Sequence, residues 1–307
     1  MKTGEDNPLQ QTSLFIDVAP GHRLHMRRIT AHGSGPALLL LHGAVANART
    51  FYSESGRGLG PWLAARGFDV FALDLRGRGR STPAIARGAR HGQYEAINED
   101  IPAAIAYIEQ LRGKDVPLGL MAHSWGGVLL TAMLARHPAL ARRVSACVYF
   151  GSKRSIQVKN WPKRIEIDLF WLRLASLCAG VAGYLPARGL GIGADSETRL
   201  ALRQSQRWVQ SLRWHDEDGF DYAAALADGG LPPILYLAGS ADRVRGHPDD
   251  VARFIAECGP HTHEQCFLGR SSGLQHDYGH LDMLTGRHAP QEVFPMAEQW
   301  LRRHMAV

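Results

Sequence analysis

The chain has 307 residues, of which 45% are hydrophobic, and its 35 Lys and Arg against 29 Asp and Glu give a formal net charge of +6. This composition allows a large core, and the dispersed charges and lack of repeats exclude a disordered chain or a solenoid. The segment 1–8 is polar where a secretory signal would be apolar, so we expect a cytoplasmic protein.

Short apolar segments alternate with segments of helical periodicity along most of the chain. The predicted strands are residues 14–18, 24–29, 37–41, 69–73, 118–122, 144–150, 234–238 and 263–267. The predicted helices are residues 49–66, 94–111, 125–136, 248–257 and 289–303. This alternation predicts an α/β fold with a mostly parallel, doubly wound sheet that carries helices on both faces.

The alternation stops between Gly151 and Gly230, where helical spacing dominates. We predict an inserted helical cap at residues 151–230, between two parts of one core at residues 1–150 and 231–307. Charged residues interrupt the apolar stretch 165–185, so we expect no integral membrane association. Four of the seven tryptophans lie in the insertion: Trp161, Trp171, Trp208 and Trp214. Either they pack the cap onto the core, or some of them line an apolar substrate pocket.

A serine lies at the junction of a predicted strand and the helix that follows it. Ser124 is flanked two residues away by Ala122 and Gly126, which are both small. A nucleophilic serine on a tight strand-to-helix turn needs small neighbours at these positions, because the strained backbone is crowded. The usual pattern has glycine at both, so Ala122 is a departure by one methyl group. Ser124 is the predicted nucleophile, and an ordinary strand-to-helix turn is the alternative.

A serine nucleophile needs a histidine to take its proton and a carboxylate to orient that histidine. In a doubly wound sheet both come from loops at the carboxyl ends of later strands. Asp242 follows the strand at 234–238, and His280 lies in the loop before the last helix. Alternatives in the same regions are His276, Asp249, Asp250 and Asp282. His123, directly before the serine, has a predicted structural role.

With these residues in order, the chain resembles the α/β-hydrolase superfamily, in particular its serine esterases and lipases with a helical cap. The resemblance spans residues 14–151 and 231–303, and it includes Leu-Leu-Leu-Leu-His-Gly-Ala at 38–44 and Asp-Leu-Arg-Gly-Arg-Gly-Arg-Ser at 74–81. It implies that the backbone N–H groups of Ala44 and Trp125 bind the oxyanion. It also favours His280 over His276, because Gly279-His280-Leu281 is similar to the family's Gly-His segment.

These features predict a serine hydrolase that cleaves a carboxylic ester of an apolar or acyl-chain substrate through an acyl-enzyme. One alternative is a thioesterase or acyltransferase acting on acyl-CoA or carrier-bound acyl groups, with the basic residues at 153–164 as the contact. Another is a non-catalytic protein of the same fold that binds a hydrophobic ligand. Dehalogenases and epoxide hydrolases of this fold need a carboxylate nucleophile, which Ser124 does not provide.

We expect no cofactor, metal or nucleic-acid partner, only a small-molecule ester substrate. The segment 76–81 lacks the glycine and lysine pattern of a phosphate-binding loop. His261, His263 and Glu264 match no established metal-ligand spacing, nor do His276, His280 and Asp282. No aromatic-interleaved basic motif of a known nucleic-acid module accompanies the basic clusters at 76–80 and 153–164, and we interpret them as solvated surface. The four cysteines lack C-x-x-C spacing, which predicts reduced thiols.

Overall fold

The computed structural model describes residues 9–31 and 35–305. Its strands are β1 (Gln10–Ala19), β2 (His22–Thr30), β3 (Ala37–Leu41), β4 (Asp69–Asp74), β5 (Leu118–His123), β6 (Val144–Phe150), β7 (Tyr184–Leu185), β8 (Glu197–Thr198), β9 (Ile234–Gly239) and β10 (His263–Leu268). Eight of them form one sheet in the order β1-β2-β4-β3-β5-β6-β9-β10, while β7 and β8 form a separate pair. In the eight-stranded sheet, β1 and β2 are antiparallel to their neighbours and the other strands pair in parallel. The pair of β7 and β8 is antiparallel.

The helices are α1 (Leu59–Ala64), α2 (Gln93–Glu95), α3 (Ile101–Arg112), α4 (Trp125–Arg136), α5 (Pro138–Ala141), α6 (Trp161–Lys163), α7 (Ala175–Ala182), α8 (Arg199–Gln210), α9 (Tyr222–Leu226), α10 (Pro248–Glu257), α11 (Asp282–Thr285), α12 (Ala289–Glu292) and α13 (Phe294–His304). A π-helical turn (Ala96–Asp100) joins α2 to α3, and a longer one (Arg164–Leu174) joins α6 to α7. Short 3₁₀ turns lie at Ala48–Thr50 and Arg270–Ser272.

The central strands are buried on both faces. In β3, Leu39 and Leu41 belong to the apolar core on one face of the sheet, and Leu38 and Leu40 belong to the core on the other. This division follows from the two-residue period of a strand. A parallel strand covered by helices on both sides is apolar throughout, which explains why β3 to β6 are recognisable in the sequence. The predicted mostly parallel, doubly wound sheet is therefore confirmed.

Two predicted helices are wrong in extent. The segment 49–66 contains only the turn at Ala48–Thr50 and the short helix α1. Gly58 has a φ of 116°, and a Cβ there would lie 2.5 Å from the carbonyl oxygen of Phe51, so the chain turns where a helix was expected. The segment 289–303 is divided at Val293 into α12 and α13, and Pro295, which lacks an N–H, occupies the first turn of α13.

The regular structure between β6 and β9 is helical except for the short pair β7 and β8, which the sequence does not reveal. Irregular segments connect these elements. Trp208 and Trp214 are buried and pack around Tyr222, while Trp161 is 68% exposed. Fully buried Arg154 joins the insertion to the core, because it donates to both carboxylate oxygens of Glu257 and to the carbonyl of Trp208. The domain boundaries at 150 and 230 stay a prediction.

All four cysteines are free thiols, and Cys147 and Cys258 are buried. Within residues 9–31 and 35–305, no helix is both long enough and apolar enough to cross a membrane.

Candidate active site

Ser124 lies between β5 and α4 with φ 54° and ψ −122°, a conformation that residues other than glycine seldom adopt. The turn is crowded: a Cβ on Gly126 would lie 2.5 Å from the carbonyl oxygen of Leu41. Ala122 is the strand residue paired with Leu41 and is fully buried, so the methyl group at this position fits inside the sheet. The backbone strain at Ser124 and the need for glycine at 126 are those of a nucleophile turn.

His280 and Asp242 are in direct contact. His280 Nδ1 donates to Asp242 Oδ2 across 2.6 Å, and Asp242 also accepts from the N–H of Val244 at 3.3 Å. Asp242 is 5% exposed and lies just after β9, where its backbone N–H closes a turn on the carbonyl of Gly239. The pair has the geometry of a carboxylate that fixes the tautomer of an imidazole base.

The pKa values of this pair reflect burial and mutual attraction. Burial lowers the pKa of His280, and it outweighs the opposing effect of the hydrogen bond and charge of Asp242. Burial also disfavours the ionised form of Asp242, but the hydrogen bond and charge of His280 prevail and hold the pKa of that carboxyl below its usual value. At neutral pH the site therefore pairs a neutral imidazole with an ionised carboxylate.

Ser124 and His280 both adjoin the carboxyl end of β6. The N–H of Ser124 donates to the carbonyl of Phe150 across 2.7 Å. A Cβ on the next residue, Gly151, would lie 3.1 Å from the ring of His280, so the imidazole packs against this glycine. His123 links the two elements as well, because its ring lies 4.6 Å from that of His280. The structure thus brings Ser124, Asp242 and His280 to one edge of the sheet.

The alternative residues lie elsewhere. His276 contacts Glu292 at 3.3 Å and stacks on His288 with ring centroids 3.6 Å apart. Asp250 accepts backbone N–H groups from Gln157 and Val158. Asp249 lies 3.8 Å from His247, and Asp282 begins α11. Of the four predicted carboxylates, Asp242 is the one bonded to His280.

The loop that carries Ala44 is held in place by His42. The Nδ1 atom of His42 donates to the carbonyl of Gly43 at 2.8 Å, and His42 Nε2 accepts from the N–H of Leu75 at 3.2 Å. Burial lowers the pKa of His42 to about 4, so the ring stays neutral. Fixing the Gly43 carbonyl also fixes the peptide plane that carries the N–H of Ala44. A Cβ on Gly43 would lie 3.0 Å from Ser124 Cβ, so this loop lies directly against the serine.

Trp125, the second predicted oxyanion donor, is the first residue of α4. The first N–H groups of a helix have no partner within the helix and lie at its positive end. Ala44 and Trp125 both line one cleft, so the structure brings the two predicted donors together.

The sequence does not reveal that the insertion supports this loop. Val45, a β-branched residue, has a φ of 47°, and its carbonyl accepts from the N–H of Asp195 at 3.1 Å. Asp195 Oδ2 in turn accepts from Asn47 Nδ2 and from the N–H of Gly79, each at 2.7 Å. One carboxylate of the insertion thus holds two loops of the core. No local pattern could predict a contact between residues 148 positions apart.

The basic segment 76–80 is not solvated surface at two of its three arginines, nor is the segment 153–164 at Lys153 and Arg154, which corrects the sequence interpretation of both. Arg76 and Arg78 are each 6% exposed. Arg76 Nη2 contacts Asp100 and Glu99, both at 2.7 Å, and Arg78 is paired with Glu197 of the insertion. A Cβ on Gly79 would lie 2.2 Å from the carboxylate of buried Asp74, so the turn requires glycine there.

The cleft beside Ala44 and Trp125 has mixed polar and apolar walls. Besides these two residues it is lined by His42, Gly43, Leu75, Arg76, Arg78, His91, Gly92, Gln93, Ala96, Asp100, Leu129, Glu197, Ala201 and Ser205. The four insertion tryptophans are not among its residues, which favours the packing interpretation for Trp208 and Trp214. In the part of the chain that the structure describes, no group of three or more His, Cys, Asp or Glu side chains is arranged to hold a metal ion.

Comparison with known proteins gives two kinds of similarity. Residues 36–185 match the family model described as alpha/beta hydrolase fold. A segment covering 43% of the chain is 33% identical over 135 residues to bifunctional epoxide hydrolase 2 of Rattus norvegicus. That segment spans 21% of the rat protein.

Solved structures match over nearly the whole chain. The alpha/beta hydrolase GrgF from Penicillium sp. sh18 has a TM-score of 0.65 at 19% identity, covering 97% of this chain and all of that one. Carboxylesterase CesB from Bacillus subtilis has a TM-score of 0.59 at 16% identity, covering 96% of this chain and 93% of its own. At such low identity the likeness shows the fold alone, and it confirms the α/β fold class predicted from the sequence.

Proposed function

We propose that this chain, which has the α/β-hydrolase fold, is a serine hydrolase. In this proposal it cleaves carboxylic esters through an acyl-enzyme. The observation that carries the proposal is the strained Ser124 at the β5–α4 turn, next to the hydrogen-bonded pair of His280 and Asp242. A non-glycine residue held in such a conformation is typical of a nucleophile turn.

In the proposed reaction, Ser124 Oγ attacks the ester carbonyl carbon while His280 Nε2 takes its proton. Asp242 keeps the other proton on Nδ1 and stabilises the imidazolium. The N–H groups of Ala44 and Trp125 bind the oxyanion. Collapse of the tetrahedral intermediate expels the alcohol, which receives the proton from His280, and leaves an acyl ester on Ser124. Water, deprotonated by His280, then attacks this ester and releases the acid.

The similarity to an epoxide hydrolase supports the fold of the proposed enzyme more than the reaction. Epoxide hydrolases of this fold attack with a carboxylate, whereas this chain has a serine at the turn. A serine hydroxyl activated by an imidazole suits acyl transfer, because the tetrahedral oxyanion has donors in place. We therefore propose a carboxylic ester as the substrate class.

The alternative of an acyl-CoA substrate receives less support. It needs free positive charge at residues 153–164, where Arg154 is paired with Glu257 and Lys163 lies 2.8 Å from Asp168. Exposed Lys159 and Arg164 are left to supply that charge. Lys153 is buried. A non-catalytic ligand-binding protein would not need the strained conformation of Ser124 or the contact between His280 and Asp242.

The test is labelling with a fluorophosphonate probe, followed by hydrolysis of p-nitrophenyl esters from acetate to palmitate. We expect the wild type and the control Ser272→Ala, on an exposed loop, to be labelled and active. Ser124→Ala should be neither.

Two results would overturn the proposal. Absence of labelling in the folded wild type would favour the ligand-binding alternative. Turnover of styrene oxide that persists in Ser124→Ala would show a different nucleophile.

A further inference from the structure

We propose that the side-chain amide of Gln93 recognises a neutral oxygen atom in the acyl group of the substrate. The inference rests on the proposed ester hydrolysis and concerns the cleft lined by Ala44, Trp125 and Gln93. It assigns to Gln93 a specificity role, separate from the chemistry at Ser124.

The amide of Gln93 is held in one orientation. Its Oε1 accepts from the indole Nε1 of Trp125 across 2.8 Å. An indole N–H can only donate, so the oxygen must face Trp125 and the NH2 group must face away from it. The backbone N–H of Gln93 is fixed as well, because it donates to Gln204 Oε1 at 2.7 Å.

The NH2 group of Gln93 lacks a partner in the part of the chain that the structure describes. The side chain is 3% exposed, and Nε2 has no hydrogen-bond partner among the described residues. A buried donor without an acceptor is unfavourable and rare in native structures. Gln93 lines the cleft, so a ligand acceptor bound there would supply the missing partner.

The charges around the cleft indicate that this acceptor is neutral. Arg76 is paired with Asp100, and Arg78 is paired with Glu197, so the two cations in the walls already face carboxylates. Burial lowers the pKa of His42 and of His91 to about 4 each, which leaves both rings uncharged at neutral pH. A carboxylate substrate would find no free cation in these pairs, whereas an ether, hydroxyl or carbonyl oxygen needs only a donor.

The position of the cleft assigns this oxygen to the acyl group. The leaving alcohol takes its proton from His280 and therefore lies on the side of His280. Ser124, Asp242 and His280 do not line the cleft, which lies on the side of Ala44 and Trp125. The cleft adjoins the serine through Gly43, where a Cβ would lie 3.0 Å from Ser124 Cβ. The acyl chain would extend into this cleft, past the indole to which Gln93 is bonded.

The experiment uses pairs of p-nitrophenyl esters that differ by one oxygen in place of a methylene group. The pairs are methoxyacetate and butanoate, 3-methoxypropanoate and pentanoate, and 4-methoxybutanoate and hexanoate. For each pair, the ratio of kcat/KM is divided by the ratio of the rates of hydroxide-catalysed hydrolysis, which removes the intrinsic activation by the oxygen.

We expect the wild type to favour the ether of at least one pair by about tenfold, which corresponds to about 1.4 kcal/mol. Gln93→Met removes the donor at similar size. Gln93→Glu, when ionised, removes it but keeps an acceptor for Trp125. Both should lower the normalised preference toward one, whatever their rates on the alkyl esters. Gln210→Met, at the exposed end of α8, is the control and should keep it.

Two results would overturn the inference alone. In one, the wild type shows no normalised preference in any pair, which is decisive even if the variants do not fold. In the other, both Gln93 variants lose activity on ether and alkyl esters equally, which would assign Gln93 only to support of Trp125. In both cases the wild type keeps its labelling at Ser124 and its turnover, whereas failure of the proposed function removes them.

Discussion

The imidazole of His123 donates through Nε2 to the carbonyl oxygen of His280 across 2.9 Å. The residue directly before the proposed nucleophile thus holds the backbone of the proposed base. Burial lowers the pKa of His123 to about 3, so the ring makes this contact without a charge over the working pH range. We infer that His123 positions His280, because it connects the turn after β5 to the loop that carries His280.

Replacing His123 tests this role. His123→Phe keeps the ring but loses the donor, and we expect kcat to fall by about tenfold to a hundredfold with little change in KM, because small displacements of a base are costly. His123→Gln retains an N–H donor and should recover much of the lost rate. Steady-state kinetics on a p-nitrophenyl ester provide the measurement. Equal losses in both variants would indicate a packing role instead.

The second prediction concerns the acidic limb of the pH profile. His280 acts as a base only when neutral, and burial lowers its pKa below 6.5. The limb of kcat/KM should therefore lie below pH 6.5, with activity rising as pH rises through it. The charge of Lys153 contributes to the lowering. Lys153→Met removes that charge, favours the imidazolium, and should move the limb to higher pH.

Exposed Lys159→Met is the control for this shift and should leave the limb in place. Movement of the limb to lower pH in Lys153→Met would contradict the assigned electrostatics. Burial lowers the pKa of Lys153 to about 8, so its charge is present throughout the acidic range measured.

The third prediction separates the two small residues that flank the serine. Gly126→Ala would place a methyl group 2.5 Å from the Leu41 carbonyl and 2.6 Å from that of His42, so we expect the turn to distort and esterase activity to be lost. Ala122→Gly removes a methyl group that the sheet already accommodates, and kcat/KM should stay within about threefold of the wild type, since the turn of Ser124 is unchanged. An inactive Ala122→Gly would show that the departure from glycine is itself required.

The fourth prediction concerns the attachment of the insertion. Arg154 is fully buried, and it donates to Glu257 at 2.6 and 2.7 Å and to the carbonyls of Trp208 and Ser211. Arg154→Met leaves a partly buried carboxylate and two carbonyls without this donor. We expect the free energy of unfolding, measured in urea, to fall by about 3–5 kcal/mol. The exposed Arg213→Met should change it by less than about 0.5 kcal/mol.

The sequence was sufficient for the sheet because its central strands are apolar on both faces and end at recognisable turns. The same alternation placed Ser124, Asp242 and His280 after β5, β9 and β10, where the structure finds them at one edge. Periodicity failed at 49–66, because apolar residues in an irregular loop can imitate a helix. There the positive φ of Gly58 and its contact with Phe51 decide the path of the chain.

Contacts between residues distant in the sequence account for the features that the sequence analysis did not predict. Nothing local to Arg76 or Arg78 reveals that Asp100 and Glu197 cover them, so an exposed basic cluster was the natural interpretation. Nor could the partnership of Gln93 with Trp125 be predicted, since it depends on how the segment after residue 92 packs on α4. The composition gives the number of charged residues, but the tertiary fold determines which of them are exposed to solvent.

The carboxylate of Asp195 binds Asn47 and Gly79 at the same time, and the Val45 carbonyl accepts from its backbone. Any movement of Asp195 away from the core must break these bonds and release the loop of Ala44. The position of the insertion and the geometry of the proposed oxyanion donors are therefore coupled, although the two belong to different parts of the chain.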